Sequence, residues 1–222
     1  MSEFTLVIGN KNYSSWSLRG WLMCKAAGIA FEEVLVRLYE PDTKAQVARY
    51  SPSGFLPVLM HGGLSVWDSL AIGEYLNEQL PQAGLWPEAA AARAVARSVA
   101  AEMHAGFAEL RREMPMNIRA SFPGHGHTPE VLAQAQRLAG MWLDCRKRFA
   151  GSAARDDGFL FGGFTIADAM FAPVATRFRT YGVKLDTQAQ RYCDALLAHP
   201  AMLEWCDAAS HEPWLIAEYE FR

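Results

Sequence analysis

Between residues 79 and 87 the sequence changes character, and no other feature limits the possible folds as much. Gln79-Leu-Pro-Gln-Ala-Gly-Leu-Trp-Pro87 sets two prolines and a glycine close together, which stops helical periodicity and reads as a linker. Ahead of it, short β-rich stretches alternate with helical ones. Residues 4–8 read as a first strand, followed by the polar segment 9–15. Leu18, Leu22 and residues 24–27 supply the buried side of a helix that ends at Gly28. Residues 33–38 read as a second strand and 43–50 as a short helix. Residues 56–60 and 64–67 flank His61-Gly62-Gly63 as a tight hairpin. Asp68 or Ser69 then caps a helix through about Gln79, with Ala71, Ile72, Tyr75 and Leu76 facing inward. A small mixed sheet with helices packed on it buries these patterns.

Beyond the linker the apolar spacing is helical throughout. Val95, Val99, Met103, Phe107, Leu110 and Met114 trace one stripe of a single long helix that Pro115 ends or bends. Val131, Ala135, Leu138, Trp142, Cys145 and Phe149 trace a second. Thr165-Ile-Ala-Asp168 is a capping box, in which each residue accepts the other's backbone N–H, so Thr165 and Asp168 take a structural role. Pro173 lies far enough inside the following helix to bend it. The second half is thus a helical bundle docked onto a small α/β domain.

With 51% apolar and 20% charged residues, the 222-residue chain is globular rather than disordered. Its 21 basic and 24 acidic side chains give a net charge of −3, which supplies no long-range field for nucleic acid or an anionic membrane. Cys24, Cys145, Cys193 and Cys206 form no CxxC pair and no compact zinc spacing, so they read as reduced, mostly buried thiols, and no metal is expected. The first nine residues are too short and wrongly flanked for a signal peptide, and no apolar run is long enough to span a bilayer, which points to the cytoplasm.

Two segments carry the chemistry. Pro57 at the start of a strand cannot complete the hydrogen-bond ladder, and from local sequence alone it reads as an ordinary strand-start proline. A cis Leu56–Pro57 bond would instead turn the Leu56 N–H and C=O outward as a docking rail. Asp68-Ser69 is either a plain helix N-cap or a seat for a ligand carrying both a carboxylate and an ammonium group. His61 reads as a turn residue, and His104 as packing or cavity lining beside the apolar stripe.

The order of Asn12-Tyr-Ser-Ser-Trp-Ser-Leu-Arg19, Ser53-Gly-Phe-Leu-Pro57 and Asp68-Ser69, followed by a helical half, resembles the cytosolic glutathione S-transferase superfamily over almost the whole chain. Residues 13–19 look most like the serine-rich active segment of the zeta class, which includes maleylacetoacetate isomerase. Residues 102–107 and 111–117 resemble a bacterial branch of transferase-like proteins. The resemblance implies a thioredoxin-like α/β domain over residues 1–79, an all-helical domain over 87–222, and a homodimer. It implies glutathione as cosubstrate, held by Leu56, Pro57 and Val58 on its cysteinyl part and by Asp68 and Ser69 at its γ-glutamyl end.

A gapless match through Trp16 and Arg19 puts Asn12 where a zeta-like protein has its catalytic serine, with Ser14 and Ser15 falling slightly later. The catalytic candidates rank Ser14, then Ser15, then Asn12; with no cysteine in this segment, an omega-like mixed-disulfide mechanism is disfavoured. A serine hydroxyl is a poor base near neutrality but a good donor to a thiolate. The second substrate, a small electrophile, is expected between the domains against Tyr13, Trp16, Met103, Phe107, Arg111 and Asn117. Glutathione transfer leads zeta-like isomerisation, peroxide reduction and non-enzymatic glutathione binding, because fold does not choose among them.

Overall fold

Strand β1 (Phe4–Ile8) sits inside a four-stranded sheet of order β2-β1-β3-β4, and its period-two pattern feeds two cores. Leu6 and Ile8 face the main core, while Val7 joins Val36, Val47 and Val58 in a smaller one on the opposite face. β2 (Phe31–Leu35) runs parallel to β1, and β3 (Val58–His61) runs antiparallel to it. β4 (Leu64–Trp67) closes a hairpin with β3 through Gly62 and Gly63, both at positive φ, as a two-residue turn between right-twisted strands requires. The coordinates, a computed structural model, describe residues 3–221.

Helix α1 (Ser15–Ala26) lies between the sheet domain and the helical domain, packing on α3 (Ser69–Gln79), α7 (Ile166–Tyr181) and α9 (Pro200–Ser210). Of the ten positions from Ser15 to Cys24 all but Trp16 are buried, because neighbours cover the helix on every side. Gly20 permits the approach: a Cβ there would come within 2.9 Å of the Pro57 ring. α2 (Thr43–Ala48) covers the small core, and the second strand begins and ends a few residues earlier than its sequence pattern implies.

The helical half comprises α4 (Ala90–Ala105), α5 (Ala108–Glu113), α6 (Pro129–Phe149), α7, α8 (Thr187–Ala198) and α9. The expected single helix over 95–114 is two. Gly106 closes α4 in extended conformation and Phe107 takes φ +61°, so the apolar spacing runs on across a sharp break. Pro173 lies inside α7, where Thr176 Oγ1 bonds the Pro173 carbonyl at 2.8 Å. Among the described residues no helix is long and apolar enough to cross a membrane. All four thiols are unpaired; burial holds Cys24 far above its usual range and pushes Cys145 and Cys193 up to about 12.

Candidate functional site

Two cavities meet where α1, the loop before β3 and the start of α3 converge. One, of about 570 Å³, is lined by Trp16, Ser53, Leu56, Pro57, Asp68, Ser69 and His104, with Phe55 and Trp67 at its rim. The other, of about 400 Å³, is lined by Tyr13, Ser14, Ser15, Arg111, Arg177 and Tyr219 among others. Trp16, Phe55 and Leu56 belong to both, so the cavities form one bent cleft.

The larger cavity presents unmet polar groups. The Leu56–Pro57 peptide is cis, so the reading from local sequence alone is corrected here. Asp68 caps α3: its Oδ1 accepts from Leu70 N at 2.9 Å and from Ala71 N at 3.4 Å. Its Oδ2 lies 3.2 Å from His104 Nε2, a partner the sequence did not disclose because α4 follows the linker. Ser69, 1% exposed at the first position of α3, has a buried hydroxyl with no hydrogen-bond partner. A polar atom so placed normally has a partner, and here only the cavity can supply one.

At the mouth of α1, adjacent hydroxyls differ. Ser14 is the N-cap: its Oγ accepts from Ser17 N at 3.4 Å and donates to Ser17 Oγ at 2.8 Å. Ser17 Oγ in turn accepts from Gly9 N at 2.9 Å, tying the strand end to the helix. Ser15, one residue on, lines the smaller cavity, and among the described residues its hydroxyl has no hydrogen-bond partner. Asn12 is fully buried: its Nδ2 donates to Asn117 Oδ1 at 2.8 Å and its Oδ1 accepts from Arg119 N at 3.0 Å. Asn12 lines neither cavity.

Of the residues expected around a second substrate, Tyr13, Trp16 and Arg111 line the smaller cavity. Met103 and Phe107 pack in the main core and line neither cavity. Asn117 is buried in the bond with Asn12 and also holds the Tyr219 carbonyl. Val58 is buried in the sheet beside the cleft. Among the described residues no group of three or more His, Cys, Asp or Glu side chains is placed to hold a metal ion.

Three arginines give the cleft its electrostatics. Arg19, fully buried, donates Nε to the Met170 carbonyl at 2.9 Å, while both Nη atoms are unpartnered. Arg111 is held by the Met103, His104 and Gly106 carbonyls and leaves Nη1 unpartnered. Arg177 donates Nε to the Met114 carbonyl at 2.7 Å. The Arg19 and Arg111 guanidinium carbons lie 4.3 and 4.6 Å from the Trp16 ring centroid, so the indole that divides the cleft is held by two cations. Among the described residues none of the three has a carboxylate within ion-pair distance. Burial, and then the neighbouring arginine charges, hold Arg19 well below its usual range and lower Arg177 to about 10. The sequence signal for this is an arginine that follows the apolar run of α7, Arg177.

Residues 13–79 match the family described as "Glutathione S-transferase, N-terminal domain", and residues 88–208 match "Glutathione S-transferase, C-terminal domain". A maleylacetoacetate isomerase from Pseudomonas aeruginosa is 28% identical over 198 residues, covering 86% of this chain and 90% of that protein. A dichloromethane dehalogenase from Methylorubrum extorquens is 40% identical over 60 residues, but these span 26% of this chain and 21% of the dehalogenase. Among solved structures, a Burkholderia glutathione transferase homologue with bound glutathione gives a TM-score of 0.69 at 22% identity, covering 96% of this chain and 100% of the other. A theta-class enzyme from Xanthomonas axonopodis pv. citri, with glutathione bound, gives 0.63 at 23% identity over 93% of this chain and 98% of that one. These likenesses agree with the expected architecture, a thioredoxin-like domain followed by an all-helical one.

Proposed function

Because the chain belongs to the glutathione S-transferase family, we propose that it binds glutathione in the larger cavity and transfers its thiolate to a small electrophile in the smaller one. The observation that carries this reading is the buried, partnerless hydroxyl of Ser69. It stands at the N-terminus of α3, where free N–H groups and the helix dipole favour a carboxylate. Asp68 beside it offers a carboxylate to an ammonium group, and the Leu56 N–H and C=O, unpaired among the described residues, offer an extended peptide two bonds. A peptide with an amino-acid head and an amide backbone satisfies all three.

In this reading the sulfur lies at the bend between the cavities, where the Ser15 hydroxyl donates to it. The thiol loses its proton to solvent, and the serine donor together with the arginine charges stabilises the anion. The thiolate then attacks an electrophilic carbon, whose leaving group departs with the bonding electron pair. What supports Ser15 over Ser14 is that the Ser14 proton is already committed to Ser17. The reading also takes the protein as a cytoplasmic homodimer.

A second reading, zeta-like isomerisation, is favoured by one specific feature. Arg111 and Arg177 line the smaller cavity without a carboxylate partner, and a guanidinium fork suits an anionic unsaturated substrate. There glutathione adds, allows bond rotation and departs unchanged. Calorimetry tests the shared premise: glutathione binds the unmodified protein, and Ser69→Ala weakens binding about tenfold or more. Equal affinity of the two proteins removes Ser69 from the site, and no binding by either ends both readings. Net consumption of glutathione separates transfer from isomerisation.

A further inference from the structure

The residues after α9 return across the molecule to the loop that precedes α1. At one end Glu212 is buried and its carboxylate accepts from Lys11 N at 2.7 Å and from Asn12 N at 3.0 Å. Arg119 holds the Glu212 and Trp214 carbonyls. At the other end Tyr13 donates to Glu220 Oε1 at 2.5 Å, Asn117 donates to the Tyr219 carbonyl at 2.9 Å, and Phe221 stacks on His125 at 3.9 Å. Between these anchors Ile216 is buried and Leu215 is 70% exposed. The segment is a strap tied at both ends.

Its inner side chain, Tyr219, forms part of the wall of the smaller cavity. The opposing wall is Tyr39, on the loop after β2, which is 61% exposed and takes φ +63°, an uncommon left-handed backbone for a tyrosine. The two hydroxyls are 2.5 Å apart and the rings stand edge to face at 5.7 Å. Arg37 over the Trp214 ring, 5.5 Å away, is the neighbouring contact between that loop and the strap. One neutral hydrogen bond thus joins the loop after β2 to the strap beside the smaller cavity, and a bond of that kind is weak enough to open thermally.

We propose that Tyr39 and Tyr219 form a latched wall that sets the size of electrophile the smaller cavity accepts. This rests on the reading above, in which glutathione fills the larger cavity and its sulfur substituent enters the smaller one. Neither tyrosine lines the larger cavity, so the wall acts on the substituent and leaves the peptide part of the ligand alone.

Titration calorimetry with S-methylglutathione and S-tritylglutathione tests this without depending on turnover. Tyr219→Ala and Tyr39→Ala each raise affinity for the trityl compound about tenfold relative to the methyl compound, whose affinity stays unchanged. A ratio that is unchanged or falls overturns the wall. Should either alanine variant unfold, the ring-preserving pair decides. Tyr39→Phe, Tyr219→Phe and the double variant speed association of the trityl compound equally, because each removes the same bond, and additive effects overturn the latch. Binding of S-methylglutathione with no change in selectivity overturns the wall alone. Binding of neither compound by the unmodified protein overturns the glutathione reading and the wall with it.

Discussion

A serine hydroxyl has one proton to give, so at a helix start it either closes the helix or serves a ligand. Ser14 closes α1 through Ser17, and Ser15 keeps its proton free beside the cleft. The two alanine variants should therefore separate. Ser14→Ala costs about 0.5–2 kcal/mol of folding stability and leaves most of the turnover. Ser15→Ala leaves stability nearly unchanged but lowers the thiolate signal of bound glutathione and reduces kcat about 10²-fold. Denaturant unfolding, ultraviolet absorbance and steady-state rates measure the three quantities. The opposite pattern returns the catalytic role to Ser14.

At the scale of the element, α7 begins on a carboxyl group buried at the centre of four donors. Asp168 accepts from Leu160 N at 3.1 Å, Thr165 N at 2.9 Å, Thr165 Oγ1 at 2.8 Å and Tyr192 OH at 3.1 Å. Burial outweighs those bonds and raises the carboxyl from 3.8 to about 6. A folded state that holds a proton more tightly than the unfolded chain gains stability in acid. That gain is full below the unfolded value of 3.8 and is lost as pH rises through about 6. The stability of the unmodified protein relative to Asp168→Asn should thus decline from acid toward neutrality, as urea unfolding across that range will measure. A difference that stays flat or grows rejects the sign.

The elements whose ends are marked by their own side chains were legible in the sequence. The Gly62-Gly63 turn, the Asp68 cap and the Thr165–Asp168 pair each act within a few residues. The break at Phe107 was not legible, because apolar spacing continues through it and the positive φ leaves no mark in residue type. In the site, local chemistry read Pro57 as a strand-start proline and left Asp68-Ser69 open between a plain cap and a ligand seat; their expected roles came from the family resemblance. The choice among Asn12, Ser14 and Ser15 was not legible, since Asn117, Arg119 and Glu212, all in the other half, fix how that loop is held.

For the whole molecule the open question is assembly. Phe55, Leu64 and Trp67 are 76%, 50% and 45% exposed on the sheet domain, an unusual share of bare apolar surface on one half. A net charge of −3 per chain opposes association only weakly. Light scattering over a range of concentrations should return twice the 24.6 kDa chain mass. A mass that stays at one chain rejects the homodimer.

The Glu212 carboxylate holds a loop made 200 residues earlier. During synthesis the sheet domain leaves the ribosome first and can fold as a unit. Its loop at Lys11 and Asn12 nevertheless completes its contacts only when the residues around Asn117 and Glu212 have followed. A nascent chain can thus acquire its sheet well before it acquires an ordered reaction centre. A chain lacking Glu212 thus keeps most of its core but leaves two backbone N–H groups beside the reaction centre without their acceptor.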